Sequence, residues 1–84
     1  MNGFVYVYIL ETAVEPENRR YYVGLTSNLS ERLARHNAGL VPHTSLHRPW
    51  SLKTAVAFRE RARAAAFEQY LKSPSGRAFA KKRL

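Results

Sequence analysis

The chain contains no cysteine and no aspartate, and its acidic residues are six glutamates. Without cysteine there is no disulfide framework and no thiolate metal centre. Three of the glutamates, Glu11, Glu15 and Glu17, crowd into one polar stretch, so few carboxylates are left for chemistry. No apolar run approaches the length of about 20 residues that spans a bilayer. The N-terminal Met1-Asn2-Gly3 carries no basic region ahead of its apolar stretch, and Glu11 closes that stretch early, so a secretory signal is not expected. No repeat or low-complexity segment is present. A cytoplasmic protein is the simplest expectation, although a lack of cysteine is also compatible with export.

What is abundant is positive charge and aromatic surface. A chain of 84 residues has room for one core, so residues 1–84 are expected to form a single domain. The hydrophobic fraction of 45% is sufficient for a folded globule. The net charge is +8 and the isoelectric point about 10.5. From Arg59 onward eight cations (Arg59, Arg61, Arg63, Lys72, Arg77, Lys81, Lys82 and Arg83) face only Glu60 and Glu68. Such an excess favours a polyanionic partner, because each neutralised phosphate releases counterions. A merely solubilising surface is the alternative. Nucleic acid is the expected partner, DNA ahead of RNA, with no membrane; the sequence does not set the oligomeric state.

Phe4–Leu10 is β-branched and aromatic throughout and predicts a strand covered on both faces, with Phe4, Tyr6, Tyr8 and Leu10 on one side. Glu11–Arg20 predicts a loop, and Tyr21–Leu25 a second strand paired with the first as a hairpin. Tyr22 and Gly24 share a face there, and a glycine within a strand often marks a close approach to the backbone. Asn28 with Glu31 fits a capping box opening a helix that Gly39 stops. At about 100° per residue, Leu29 and Leu33 define its buried stripe, with His36 inside it and Arg32 at its edge. Leu40–Pro49 predicts a loop, Trp50–Phe58 a third strand, and Ala62–Leu71 a helix with Ala64, Phe67 and Leu71 inward and Glu68 beside them. Ser73-Pro74 suits the start of a last helix reaching about Arg83. The expected class is α/β of the α+β kind: a small three-stranded antiparallel sheet flanked by three helices, in the order β-β-α-β-α-α.

Several segments taken in order carry a further signal. Tyr6-Val7-Tyr8 and Tyr22-Val23-Gly24 are followed by Thr26-Ser27-Asn28-Leu29-Ser30-Glu31-Arg32-Leu33, with His36 one turn on. Arg48-Pro49-Trp50-Ser51-Leu52 and Phe67-Glu68-Gln69-Tyr70-Leu71-Lys72 come later. This set resembles the GIY-YIG nuclease domain in its small standalone bacterial form, over nearly the whole chain. Tyr6 stands where the first motif has glycine, and no asparagine follows Asn37, whereas larger family members carry a late one.

The resemblance implies an endonuclease that hydrolyses DNA phosphodiester bonds with Mg²⁺ or Mn²⁺, in DNA repair or recombination. It implies Tyr8, Tyr22, Arg32 and His36 as catalytic residues and Glu68 as the metal ligand. Tyr8 would activate the attacking water with Tyr22 alongside. Arg32, His36 and the cation are expected to lower the phenol's ordinary pKa of about 10. Arg32 would hold the scissile phosphate, and Glu68 would ligate the metal. Phosphate contacts would come from Arg32, Lys72, Arg77, Lys81, Lys82 and Arg83.

Blander readings stand beside these. Tyr8 and Tyr22 could be packed sheet aromatics, Arg32 a helix-edge ion pair and His36 a core histidine. Glu68 could pair with Lys72 at i, i+4. His43 and His47 read as a solvated loop rather than a metal pair, and Tyr6 and Tyr21 as packing residues. The five site residues are expected to converge on one concave surface. The rival function is a catalytically weak nucleic-acid-binding module using the same basic surface.

Overall fold

The computed structural model describes residues 3–12 and 16–84; Glu15, and the Met1 and Asn2 used in reading the N-terminus, lie outside the described residues. Three strands, β1 (Val5–Thr12), β2 (Tyr21–Thr26) and β3 (Trp50–Phe58), alternate with three helices, α1 (Leu29–Asn37), α2 (Arg61–Leu71) and α3 (Pro74–Arg83), in the order β-β-α-β-α-α. The sheet is antiparallel with strand order β2-β1-β3. This α+β arrangement is the one the sequence predicts. Among the described residues no helix is long and apolar enough to cross a membrane.

The central place of β1 follows from its composition. It is apolar on both sides, so it loses most water-exposed surface with a strand on each edge and a helical layer on each face. On one face Val5, Val7 and Ile9 pack with Ala64 and Leu71 of α2, backed by Phe67, Ala80 and Leu84. On the other, Tyr8 and Leu10 pack with Trp50, backed by Tyr22, Leu29 and Leu33. Helix α1 therefore covers one face, and α2 with α3 covers the opposite one. Four boundaries differ from expectation by one or two residues. β1 begins at Val5, and β2 runs on to Thr26. β1 continues through Thr12, whose backbone N–H donates to Arg20 O at 3.1 Å, and α2 begins one residue earlier, at Arg61.

Helix α1 starts where Asn28 accepts the Glu31 backbone N–H at 3.1 Å. The expected capping box is only half made. The Asn28 N–H goes to the Thr26 hydroxyl at 3.1 Å rather than to the Glu31 carboxylate, because Thr26 ends the preceding strand two residues away. Gly39, at φ +80°, closes the helix: its N–H donates to His36 O and that of Leu40 to Arg35 O, at 3.2 and 3.1 Å. At the other end of the molecule, the Ser73 hydroxyl accepts the Gly76 N–H at 3.1 Å and sets the first turn of α3. Gly76 is buried against the Tyr70 carbonyl, which a side chain there would strike.

Candidate active site

Strand alternation puts Tyr8, Tyr22 and Gly24 on the α1 side of the sheet, with Tyr8 facing Gly24 across the β1–β2 ladder. The ring tip of Tyr8 occupies the space that a Gly24 side chain would fill. The phenol thus reaches over β2, an edge strand, toward the margin of the sheet. The Tyr22 ring lies 6.3 Å from that of Tyr8 and 4.9 Å from the His36 imidazole.

Tyr8 and His36 are bonded directly, with 2.9 Å between the hydroxyl and Nε2. His36 Nδ1 lies 2.7 Å from the Thr44 hydroxyl, which is 3.3 Å from Val41 O. One arrangement gives every group a partner: Thr44 donates to the carbonyl and accepts from Nδ1–H, leaving Nε2 to accept the Tyr8 proton. Thr44 is held in turn by the Trp50 indole N–H, which donates to its carbonyl at 2.9 Å. The Asn37 side chain grips the Trp50 backbone at both ends, accepting at 2.7 Å and donating at 3.0 Å. Residues from α1, the following loop and β3 thereby fix one imidazole orientation.

Tyr8 and His36 are buried, whereas Tyr22 and Arg32 are half-buried. Burial dominates the acid–base properties. It pushes the Tyr8 phenol up to about 12, with the neighbouring Tyr22 adding to the rise and Arg32 opposing it. Among the protein groups, desolvation of the anion outweighs Arg32, the reverse of the lowering expected from Arg32 and His36. Burial also lowers His36 below its ordinary value, and the Arg32 charge lowers it further. His36 is therefore neutral at pH 7 and free to accept a proton. The Arg32 Nε is a buried donor with no protein partner, a costly arrangement unless something else accepts from it.

Glu68 comes from the opposite layer. Its carboxylate, mostly shielded, bonds Lys72 at 3.2 Å, so the i, i+4 pair that the sequence offered as an alternative is formed. Its link to the other four is electrostatic: the charge of Glu68 reaches Tyr8 and contributes to holding the phenol protonated. Tyr8, Tyr22, Arg32 and His36 thus gather tightly on one side of the sheet, and Glu68 acts on them from the α2 layer.

The basic residues divide. Lys72, Arg77 and Lys81 line one groove of about 820 Å³ together with Tyr22, whereas Lys82 and Arg83 are exposed on α3 outside its lining. Tyr6 packs half-buried beside Phe4, as expected, with ring centroids 6.5 Å apart. Tyr21 does not pack: on edge strand β2 it is 56% exposed. His43 is exposed, and among the described residues no group of three or more His, Cys, Asp or Glu could hold a metal. Sequence reasoning missed Thr44, Trp50 and Asn37 as supports of His36. A threonine eight positions after a histidine, in a loop, carries no periodic signal.

The model of the GIY-YIG catalytic domain matches residues 4–83. The chain belongs to the GIY-YIG family. No curated protein and no solved structure matches it. Membership implies nuclease activity and hence a nucleic acid substrate, and GIY-YIG nucleases generally depend on a divalent metal. The donor set suits a hard cation: a single shielded carboxylate, with one oxygen engaged by Lys72, matches Mg²⁺-like ions that complete their shell with water and phosphate. It would not serve as a closed cage for Ca²⁺ or Zn²⁺.

Proposed function

We propose that this GIY-YIG domain is a Mg²⁺- or Mn²⁺-dependent endonuclease hydrolysing DNA phosphodiester bonds, with Tyr8, Tyr22, Arg32 and His36 catalytic and Glu68 the metal ligand. The observation that carries the reading is the Tyr8 hydroxyl bonded to His36 Nε2 at 2.9 Å, with Nδ1 anchored on Thr44. A phenol near 12 supplies little free phenolate at neutral pH, so the proton moves by relay. Tyr8 passes its proton to Nε2 as it takes one from the attacking water, and the imidazolium formed is held through Nδ1–H by Thr44. Tyr22 and Arg32, the half-buried members of the group, border the approach to Tyr8. The unpartnered Nε of Arg32 gains its acceptor when a phosphate oxygen arrives, and its charge balances that developing on the phosphorane oxygens. A cation on Glu68 would polarise the phosphate and stabilise the leaving oxygen.

This reading puts the protein in the cytoplasm, acting on DNA rather than RNA, in repair or recombination. A second reading, a weakly catalytic nucleic-acid-binding module, is favoured by the burial of Tyr8 and by the Glu68–Lys72 pair. The two separate in a plasmid-nicking assay. The nuclease reading expects nicking with Mg²⁺ or Mn²⁺, abolition by EDTA, and loss in Tyr8→Phe. Binding without cleavage of any DNA would leave the module.

A further inference from the structure

The 820 Å³ groove lies on the α2 and α3 side of the sheet and is lined by both Tyr22 and Lys72, the ion-pair partner of Glu68. It therefore lies across the sheet from the Tyr8–His36 pair and meets the candidate active site only at the β2 edge, at Tyr22. Its chemistry has three parts. Arg77 and Lys81 line it beside two further cations, Lys53, whose Nζ donates to the Leu84 oxygen at 2.5 Å, and Lys72, paired with Glu68, and no acidic residue is in its lining. Ile9, Val23, Leu71 and Ala80 contribute apolar surface. Tyr21, more than half exposed, offers a free ring face at its border.

Lys53 sits at a register shift. Ile9 pairs with Thr54 but Leu10 pairs with Leu52, so Lys53 is the extra residue of a β-bulge in β3. Alternation from Leu52, on the α1 face, puts Lys53 on the groove side, and the bulge leaves Thr54 on that same side with it. Neither Lys53 nor Tyr21 has a place in the catalytic group, so the groove is an addition to it.

We propose that this groove seats a single-stranded DNA segment of the substrate, its phosphates on Lys53, Lys72, Arg77 and Lys81 and a base stacked on Tyr21. The inference rests on the nuclease reading for the word substrate, but the binding it describes stands on the groove alone. Cations tracking a backbone with an exposed aromatic between them are the recurring means of holding unpaired strands. A duplex hides its base faces and presents charged backbone, which would leave the apolar lining and the Tyr21 ring unmatched.

The test is a fluorescence-anisotropy titration in EDTA, where no metal-dependent cutting intervenes. The probes are labelled oligothymidylate and oligouridylate of about ten nucleotides, within the usual range of single-strand sites, and a blunt duplex of equal length. Oligothymidylate should bind tightest. Tyr21→Ala should weaken it by about fivefold or more, the effect of one lost stack, while Tyr21→Phe keeps parental affinity. Arg77→Glu should weaken it further and flatten the dependence of log Kd on log salt, whose slope is about 0.7 per phosphate contacted. Equal or tighter binding of duplex, equal or tighter binding of oligouridylate, or an unchanged Kd in both Tyr21→Ala and Arg77→Glu would each overturn the proposal. A nuclease-dead protein that still shows the Tyr21 and Arg77 effects would sink the proposed activity and leave the groove assigned.

Discussion

The phenol of Tyr8 rests across Gly24, its partner in the β1–β2 ladder, and nothing larger than hydrogen fits between them. Gly24→Ala must therefore displace the ring and break its 2.9 Å bond to His36. The expected cost in stability is about 1–3 kcal/mol, typical of overpacking. Cleavage should fall by about 10²-fold or more, the contribution of a positioned proton acceptor. Nicking rates and a denaturant melt of the same protein separate the two effects, and parental nicking would show that this placement is not needed.

His36 gives an acid limb. Its folded pKa is lowered, so below about 6.5 the unfolded chain takes up a proton that the folded site resists, and stability falls with falling pH. Protonated His36 also cannot accept from Tyr8. The rate should drop through a midpoint below 6.5, and His36→Gln should cut weakly with that limb absent. A parental pH profile in the variant would remove His36 from the proton path.

Tyr8 has the opposite sign at the alkaline end. Its folded pKa of about 12 exceeds the ordinary 10, so the folded state keeps a proton that the unfolded chain loses. Stability should decline between pH 10 and 12. Urea midpoints for the parent and Tyr8→Phe should converge as pH rises through this window, because the variant lacks that loss; a constant gap would contradict the buried neutral phenol.

Glu68 and Arg32 should fail differently. Glu68→Ala removes the shielded carboxylate, so cleavage should fall by orders of magnitude, several kcal/mol of barrier, while DNA binding holds or strengthens on a more positive surface. Arg32→Ala should lower both. Parallel nicking and binding titrations decide, and full cutting by Glu68→Ala would refute its assignment as metal ligand.

Gly76 tests the fold without touching the site. Gly76→Ala drives a methyl into the Tyr70 carbonyl where α3 turns off α2, backbone that cannot easily yield. A loss of about 1–3 kcal/mol is expected, or about 4–8 °C in Tm per kcal/mol for a domain of this size. An unchanged melting curve would mean that the two helices shift freely.

The sequence by itself determined the local features. Period-two and 3.6-residue patterns set the elements and the faces of Tyr8, Tyr22, Arg32 and His36, while Asn28, Gly39 and Ser73-Pro74 set helix ends through contacts a few residues apart. The ordered motifs carried the family. Tertiary structure decided what depends on distant partners. β1 became central through pairings on both edges, and His36 acquired Thr44 because Asn37 and Trp50 tie α1 to β3. The bulge at Lys53 and the exposure of Tyr21 depend on how β3 registers with β1 and on β2 being left at the sheet edge. The protonation of Tyr8 was the least legible of all. It is a balance between desolvation and the charges of Tyr22, Arg32 and Glu68, and only the folded arrangement sets how much water each one loses.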